Sequence, residues 1–175
     1  SHYTVTLEKM GGSFFFAMLI PYFLSTFVRL NGLEKGGYLI LIPLVAAFAS
    51  DSFALFAGMA FGKHKLAPEL SPKKTVEGSV GGLVGAVALC IIYGVVLHVA
   101  FKQEVSYVRF ALYGFLGSIV SQIGDLSFSY IKRQYGLKDF GNIFPGHGGV
   151  LDRFDSVIFC APLMEILIRW FPAVF

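Results

Sequence analysis

Apolar residues run through this chain in five long stretches set apart by short polar ones. They cover about 13–30, 37–61, 79–101, 107–130 and 156–175. Each comes near the roughly 20 residues that a helix needs to cross the hydrocarbon core of a bilayer. The pattern therefore predicts an all-α integral membrane protein of about five transmembrane helices. Pro21 falls inside the first stretch, which a membrane helix tolerates because neighbours can re-satisfy the carbonyl it frees. Asn31-Gly32 and Gly36-Gly37 are turn dipeptides and predict a tight connection between the first two helices. In the third stretch Gly78 and Gly82, and Gly81 and Gly85, stand four apart. That spacing puts them on one helix face and lets another helix come close.

Composition agrees with this picture. The chain of 175 residues is 55% hydrophobic and only 14% charged, where soluble domains carry about 25% charge, and its mean hydropathy is +0.70. No linker, low-complexity tract or internal repeat divides it, so residues 1–175 read as one membrane-embedded domain. The net charge of +3 is too small to draw a nucleic acid by bulk attraction, and no nucleic-acid partner is expected. The placement of the cations says more. Lys9, Lys63, Lys65, Lys73, Lys74, Lys132, Arg133, Lys138 and Arg153 fall in segments that share one membrane face. Arg29, Lys35, Lys102, Arg109 and Arg169 fall on the other. The preference of basic loops for the inner side makes the first face cytoplasmic. Cys90 and Cys160 both sit in predicted spans without metal-ligand spacing and read as small buried apolar residues. Ser1 in place of an initiator Met reads as a cloning remnant or a cut point.

Several polar residues are hard to explain as ordinary surface. Asp51 lies in a run that is apolar on both sides, and Asp125 lies near the end of the fourth stretch. An ionisable group at membrane depth costs about 2.5–3.5 kcal/mol on insertion scales and points to function. Ser118, Ser121, Gln122, Asp125, Ser129 and Lys132 follow one another at helical spacings and form one polar stripe. The stripe faces either a polar cavity or a hydrogen-bonded helix seam, with Asp125 in the latter case paired to Lys132 or to backbone. Asp152 and Asp155 are three apart and share a face. Two carboxylates that close repel unless a cation intervenes, and a hard divalent ion suits them. Asp152 alone would also read as the acidic residue favoured at a helix N-terminus.

Cations supply the other half of the pattern. Lys73, Lys74, Lys132, Arg133, Lys138 and Arg153 could clamp a polyphosphate. Lys63 and Lys65 read equally as a belt facing lipid headgroups. Gly146, Gly148 and Gly149 flank His147 before a helix start, where backbone N–H groups can turn toward an anion. His147 is not needed as a base, because a lipid phosphate is already ionised at neutral pH. It contacts phosphate, orients water or shapes the turn. Ser71 and Thr75 join a phosphate site or cap the helix that follows.

These residues resemble the signature of the CDP-diacylglycerol synthase, or phosphatidate cytidylyltransferase, family. The signature is Ser-x-x-Lys-Arg, four residues, Lys-Asp, a spacer, and Pro-x-His-Gly-Gly-x-x-Asp-Arg-x-Asp. Here it reads Ser129, Lys132, Arg133, Lys138, Asp139, Pro145, His147, Gly148, Gly149, Asp152, Arg153 and Asp155. Upstream, Ser50-Asp51, Ala54, Gly58, Phe61-Gly62-Lys63, the Ser71–Gly78 segment and Gly124-Asp125-Leu126 also match. The likeness covers about 50–155. It departs from the pattern at Phe128, where many members are acidic, at Met59, where many have Arg, and at Leu55, where Tyr is common. Further N-terminal spans usual in the family are missing, so the chain is either the catalytic C-terminal part of a longer enzyme or a short relative.

The resemblance implies a homodimeric, helical membrane enzyme that converts CTP and phosphatidic acid to CDP-diacylglycerol and pyrophosphate. It implies magnesium on Asp125, Asp152 and Asp155, and a potassium ion as second metal. The expected location is a bacterial inner membrane, with a polar active-site cavity facing the cytoplasm. The expected roles follow by position. Lys132 and Arg133 act with the three carboxylates in catalysis. Lys73, Lys74, Ser71, Thr75, Ser129, Lys138, His147, Gly148, Gly149, Arg153 and Asp51 bind substrate. Rival readings keep CTP but change the acceptor to an ether-lipid phosphate or a polyprenol, or make the protein a transporter or channel with Asp51 and Asp125 on an ion path. A transporter should show charge at midplane and repeat symmetry between its halves; the sequence instead gathers most of its charge at one membrane face and shows no repeat.

Overall fold

A computed structural model describes residues 7–137, 139–141, 149 and 151–175, with backbone alone for 7–9. Lys138, Pro145, His147 and Gly148 of the signature lie outside the described residues. All five apolar stretches are helical. Helix α1 is Leu7–Asn31, the short α2 is Gly36–Leu39, α3 is Leu41–Phe61, α4 is Val76–Phe101, α5 is Tyr107–Gln134 and α6 is Leu151–Trp170. The protein is thus an all-α membrane protein. By length and composition, Met10–Asn31, Gly36–Phe61 and Val76–Phe101 are apolar enough to cross a bilayer. Helices α5 and α6 are long enough, at 28 and 20 residues, but more polar. The last helix starts and ends about five residues earlier than its apolar run. Residues beyond it turn back, and Val174 bridges Val105.

One element departs from the helical expectation. Between α3 and α4 the chain forms an antiparallel hairpin of β1, Lys65–Ala67, and β2, Ser71–Thr75. Pro68 opens the three-residue turn, where its fixed φ suits a tight reversal. Lysines and Pro72 guard its edges against pairing with another chain.

The glycine face of α4 packs as its spacing predicts. A Cβ on Gly78 would meet the Ala54 carbonyl at 2.7 Å, on Gly81 the Ala57 Cβ at 2.2 Å, and on Gly85 the Phe53 ring at 2.1 Å. Only hydrogen at these positions lets α3 and α4 lie this close. Helix α5 follows the same rule against α4, where a Cβ on Gly114 would strike the Val87 Cα at 2.6 Å. The core between helices holds Leu30, Ile42, Ala46, Phe110, Tyr113 and Met164, with both cysteines buried and unbridged.

Among the described residues, Arg29, Arg109 and Arg169 lie at one end of this bundle and Lys74 and Lys132 at the other. At one end Arg29 and Arg169 both bind Glu165, while Arg109 donates to the Pro172 carbonyl. At the other end Lys74 and Lys132 meet the aspartates.

Candidate functional site

The polar stripe of α5 faces protein, and its character changes along the helix. At its deeper end the Ser118 hydroxyl shares a 2.8 Å hydrogen bond with Ser50 of α3. The Gln122 amide donates to Ser118 Oγ at 3.0 Å and to the Ser79 carbonyl at 3.2 Å, and its oxygen accepts from Ser79 Oγ. This part is a helix seam. Ser121 is buried there, with no partner for its hydroxyl among the described residues. Toward the end of α5 the stripe becomes charged. Asp125 does not pair with Lys132. It meets Lys74 of the hairpin at 2.5 Å and accepts from Ser129 Oγ at 3.5 Å.

Lys132 instead reaches across to α6. Its ammonium lies 2.9 Å from Asp152 Oδ1 and 3.8 Å from Asp155 Oδ2. Helix α5 ends just beyond it in a turn that holds the lysine in place. Gly136 takes φ +65°, its N–H donates to the Arg133 carbonyl, and the Leu137 N–H donates to the Lys132 carbonyl at 2.8 Å. This is the pairing of a Schellman motif. The second oxygen of Asp152 accepts from the N–H groups of Gly149 and Phe140, both at 2.9 Å. Asp152 thus ties the signature loop to α6, and the Gly149 N–H is engaged by that carboxylate. Arg133 and Arg153 are exposed.

Four carboxylates gather here. Asp155 is coupled by charge to Asp125 and Asp51, and Asp51 to Asp125. Asp51 accepts from the Ser156 hydroxyl at 2.7 Å, and Asp155 from the Ser156 N–H at 2.8 Å. Ammonium groups stand among them. The donors are hard oxygens of the kind that magnesium takes. Among the described residues, however, no three His, Cys, Asp or Glu side chains are close enough as placed to share one ion. Lys132 and the loop N–H groups occupy Asp152, and Lys74 occupies Asp125.

A cavity of about 540 Å³ opens beside this cluster, within the usual range for ligand sites. Lys65, Lys73 and Lys74 of the hairpin, with Asp51, Gln122 and Asp125, form its polar walls. Leu55, Met59 and Leu66 form an apolar one. Two of the three departures from the family pattern, Leu55 and Met59, therefore line the same cavity. The third, Phe128, is 2% exposed and packs edge-on against Phe140 and Phe159, each with centroids 5.8 Å away. Thr75 caps α4 by accepting from the Gly78 N–H at 3.1 Å. Ser71 lies at the far end of the hairpin, paired with Ala67.

Sequence reasoning passed over Glu77 and left Lys65 between two readings. Glu77 accepts from the N–H groups of Lys63 and His64 and contacts His64 Nδ1 at 2.6 Å, which anchors the hairpin. Its position as an acid in the first turn of α4 was the available signal. Lys65 points to the cavity through strand pairing that no local pattern announces.

The model of the cytidylyltransferase family matches residues 1–171. The phosphatidate cytidylyltransferase of Bacillus subtilis is 39% identical over 96% of this chain and 61% of its own length. That of Thermotoga maritima is 35% identical over 92% of this chain and 60% of its own. That of Haemophilus influenzae is 39% identical over 87% and 54%. The chain thus spans about three fifths or less of these relatives.

Proposed function

Because the chain belongs to the cytidylyltransferase family, we propose that it transfers CMP from CTP to phosphatidic acid, giving CDP-diacylglycerol and pyrophosphate. The observation that carries this reading is the set of aspartates from three helices, interleaved with Lys74 and Lys132 at the edge of a lysine-lined cavity. A phosphoryl-type transfer asks mainly for positioning and for charge neutralisation. In this mechanism an oxygen of the lipid phosphate forms a bond to the α-phosphorus of CTP. The bond from that phosphorus to the bridging oxygen breaks, and its electron pair leaves with pyrophosphate. Lys73 and Lys74 take the triphosphate from the cavity side. Lys132 and Arg133 take the lipid phosphate or the leaving group from the other. To do so Lys74 and Lys132 turn from carboxylate oxygens to phosphate oxygens, a short move for flexible side chains.

Magnesium, with potassium as a second ion, is the proposed cofactor. Asp125, Asp152 and Asp155 supply oxygens of the right kind but do not converge as placed, so they would have to exchange their lysine partners for the ion and draw together to hold it. When bound it neutralises charge on the phosphate oxygens. Asp51 holds Ser156 and the floor of the cavity. Ser129, Lys138, Gly148, Arg153 and His147 complete the phosphate contacts, while the Gly149 N–H, expected there too, holds Asp152. The proposed setting is a homodimer in a bacterial inner membrane, with the aspartate end toward the cytoplasm.

The test is formation of CDP-lipid from labelled CTP by the purified chain in lipid micelles. Product is expected, and Asp125→Asn and Asp152→Asn should each abolish it. Absence of product from the unaltered chain, or near-normal turnover by both variants, would refute the assignment.

A further inference from the structure

A second concavity, of about 290 Å³, lies between α1 and the C-terminal end of α5. Phe16 and Ile20 of α1, Phe128 and Ile131 of α5, Phe140 and Leu151 give it apolar walls. In a membrane such a groove is filled by hydrocarbon, and hydrocarbon alone would make it unspecific, since lipid tails are as apolar as the walls. What distinguishes it is the charge at one of its walls. The Lys132 ammonium lies 5.3 Å over the Phe140 ring, and the Phe140 N–H binds Asp152. Lys132 also touches Asp155, which is coupled by charge to Asp125, and Asp125 meets Lys74 at the cavity. The charged groups therefore lie between the apolar groove and the lysine-lined cavity, with Lys132 beside the one and Lys74 lining the other. Two substrates of opposite solubility that must meet at one phosphorus need two approaches of this kind.

We propose that the groove holds one acyl chain of a lipid with an anionic phosphate headgroup, and that Lys132 beside its Phe140 wall receives that phosphate. The larger cavity is then left to the nucleotide. This deepens the reading of the site as one that takes a lipid phosphate.

The experiment uses the full chain in nanodiscs and a phosphatidic acid with a photoreactive diazirine in one acyl chain. Labelled peptides are mapped by mass spectrometry. Labelling is expected at Phe16–Ile20 and Phe128–Ile131, suppressed by dioleoyl phosphatidic acid and not by dioleoyl phosphatidylcholine. Labelling spread over the outer helix faces, or suppressed equally by both lipids, overturns the proposal. This readout needs no turnover, so it stands apart from failure of the chain to make CDP-lipid. In the active enzyme Ile20→Trp should lower the ratio of kcat/KM on dioleoyl over dioctanoyl acceptor by at least about tenfold. Val99→Trp, on the exposed face of α4, should leave it unchanged. The ratio is taken within one variant, so loss of folded protein cancels. Equal ratios in the two variants would also overturn the proposal.

Discussion

Replacing Lys132 by Met should damage stability as well as turnover, and the size of the effect follows from its surroundings. The side chains of Lys132 and Asp152 are 12% and 7% exposed and lie 2.9 Å apart. Asp155, 11% exposed, is the second carboxylate within reach. Removing one partner of a buried pair strands the other charge and costs about 3–5 kcal/mol. Met keeps the length and apolar volume of the lysine stem, so little of this loss comes from packing. For a chain of this size each kcal/mol moves the melting temperature by roughly 2–4 °C, so the expected fall is about 6–20 °C. Cys90 and Cys160 are 1% and 0% exposed, and a thiol-reactive dye therefore reports melting directly. Lys132→Met with Asp152→Asn should recover part of the fall, because the stranded charge on Asp152 is gone while an amide oxygen still accepts from Gly149 and Phe140. The double variant should remain inactive. A single variant that melts within about 2 °C of the parent would mean that the pair carries little net energy, as exposed pairs do, and would refute the reasoning.

Three further outcomes are expected. Gly114→Ala should lower the melting temperature, since its Cβ would lie 2.6 Å from both the Ala86 carbonyl oxygen and the Val87 Cα, and overpacking costs about 1–3 kcal/mol. Gly11→Ala meets nothing within 4 Å and should be neutral or stabilising by up to about 1 kcal/mol; equal shifts in the two would count against the close-packed α4–α5 contact. Arg29→Met should cost about 1.5–3 kcal/mol in the same assay, because it removes two hydrogen bonds to Glu165, at 2.8 and 3.0 Å, and leaves KM for CTP unchanged; a rise in that KM would place Arg29 in the site. Glu77→Gln should raise KM for CTP severalfold with kcat little changed, since it loosens the anchor of the hairpin and its lysines; an unchanged KM would separate the hairpin from nucleotide binding.

The helices were legible because bilayer length and glycine spacing are local signals. Gly78, Gly81, Gly82 and Gly85 announce a close contact before its partner is known. The hairpin was not legible, because a three-residue strand such as Lys65–Ala67 is too short to show a period. The pairing of Asp125 with Lys74 and of Lys132 with Asp152 was hidden for another reason. Lys132 stands seven residues after Asp125 on the same helix, a spacing that suggests a partner, whereas the true partners come from the hairpin and from α6. Asp152 was ambiguous from the start. An acid in the first turn of a helix satisfies backbone N–H groups whether or not it later holds a metal, and here it does bind the loop.

The polarity gradient along α5 explains how such a site can sit in a membrane protein. From Ser118 to Lys132 the helix climbs about 21 Å at 1.5 Å per residue, and the polar groups along it are graded. Ser118 and Gln122 are uncharged and hydrogen-bonded to α3 and α4, so burying them costs little. Charge begins only at Asp125, where Lys74 meets it, and thickens toward Asp152, next to the helix ends. Placing the same carboxylates one or two turns deeper would add the insertion cost of ionised groups without a lysine from the hairpin to offset it. The low hydropathy of α5 is therefore the consequence of a stripe turned inward to serve a cluster at one end of the bundle. The apolar faces of α3 and α4, which leave Phe56, Val80 and Val84 exposed, give the protein the hydrocarbon contact that α5 cannot.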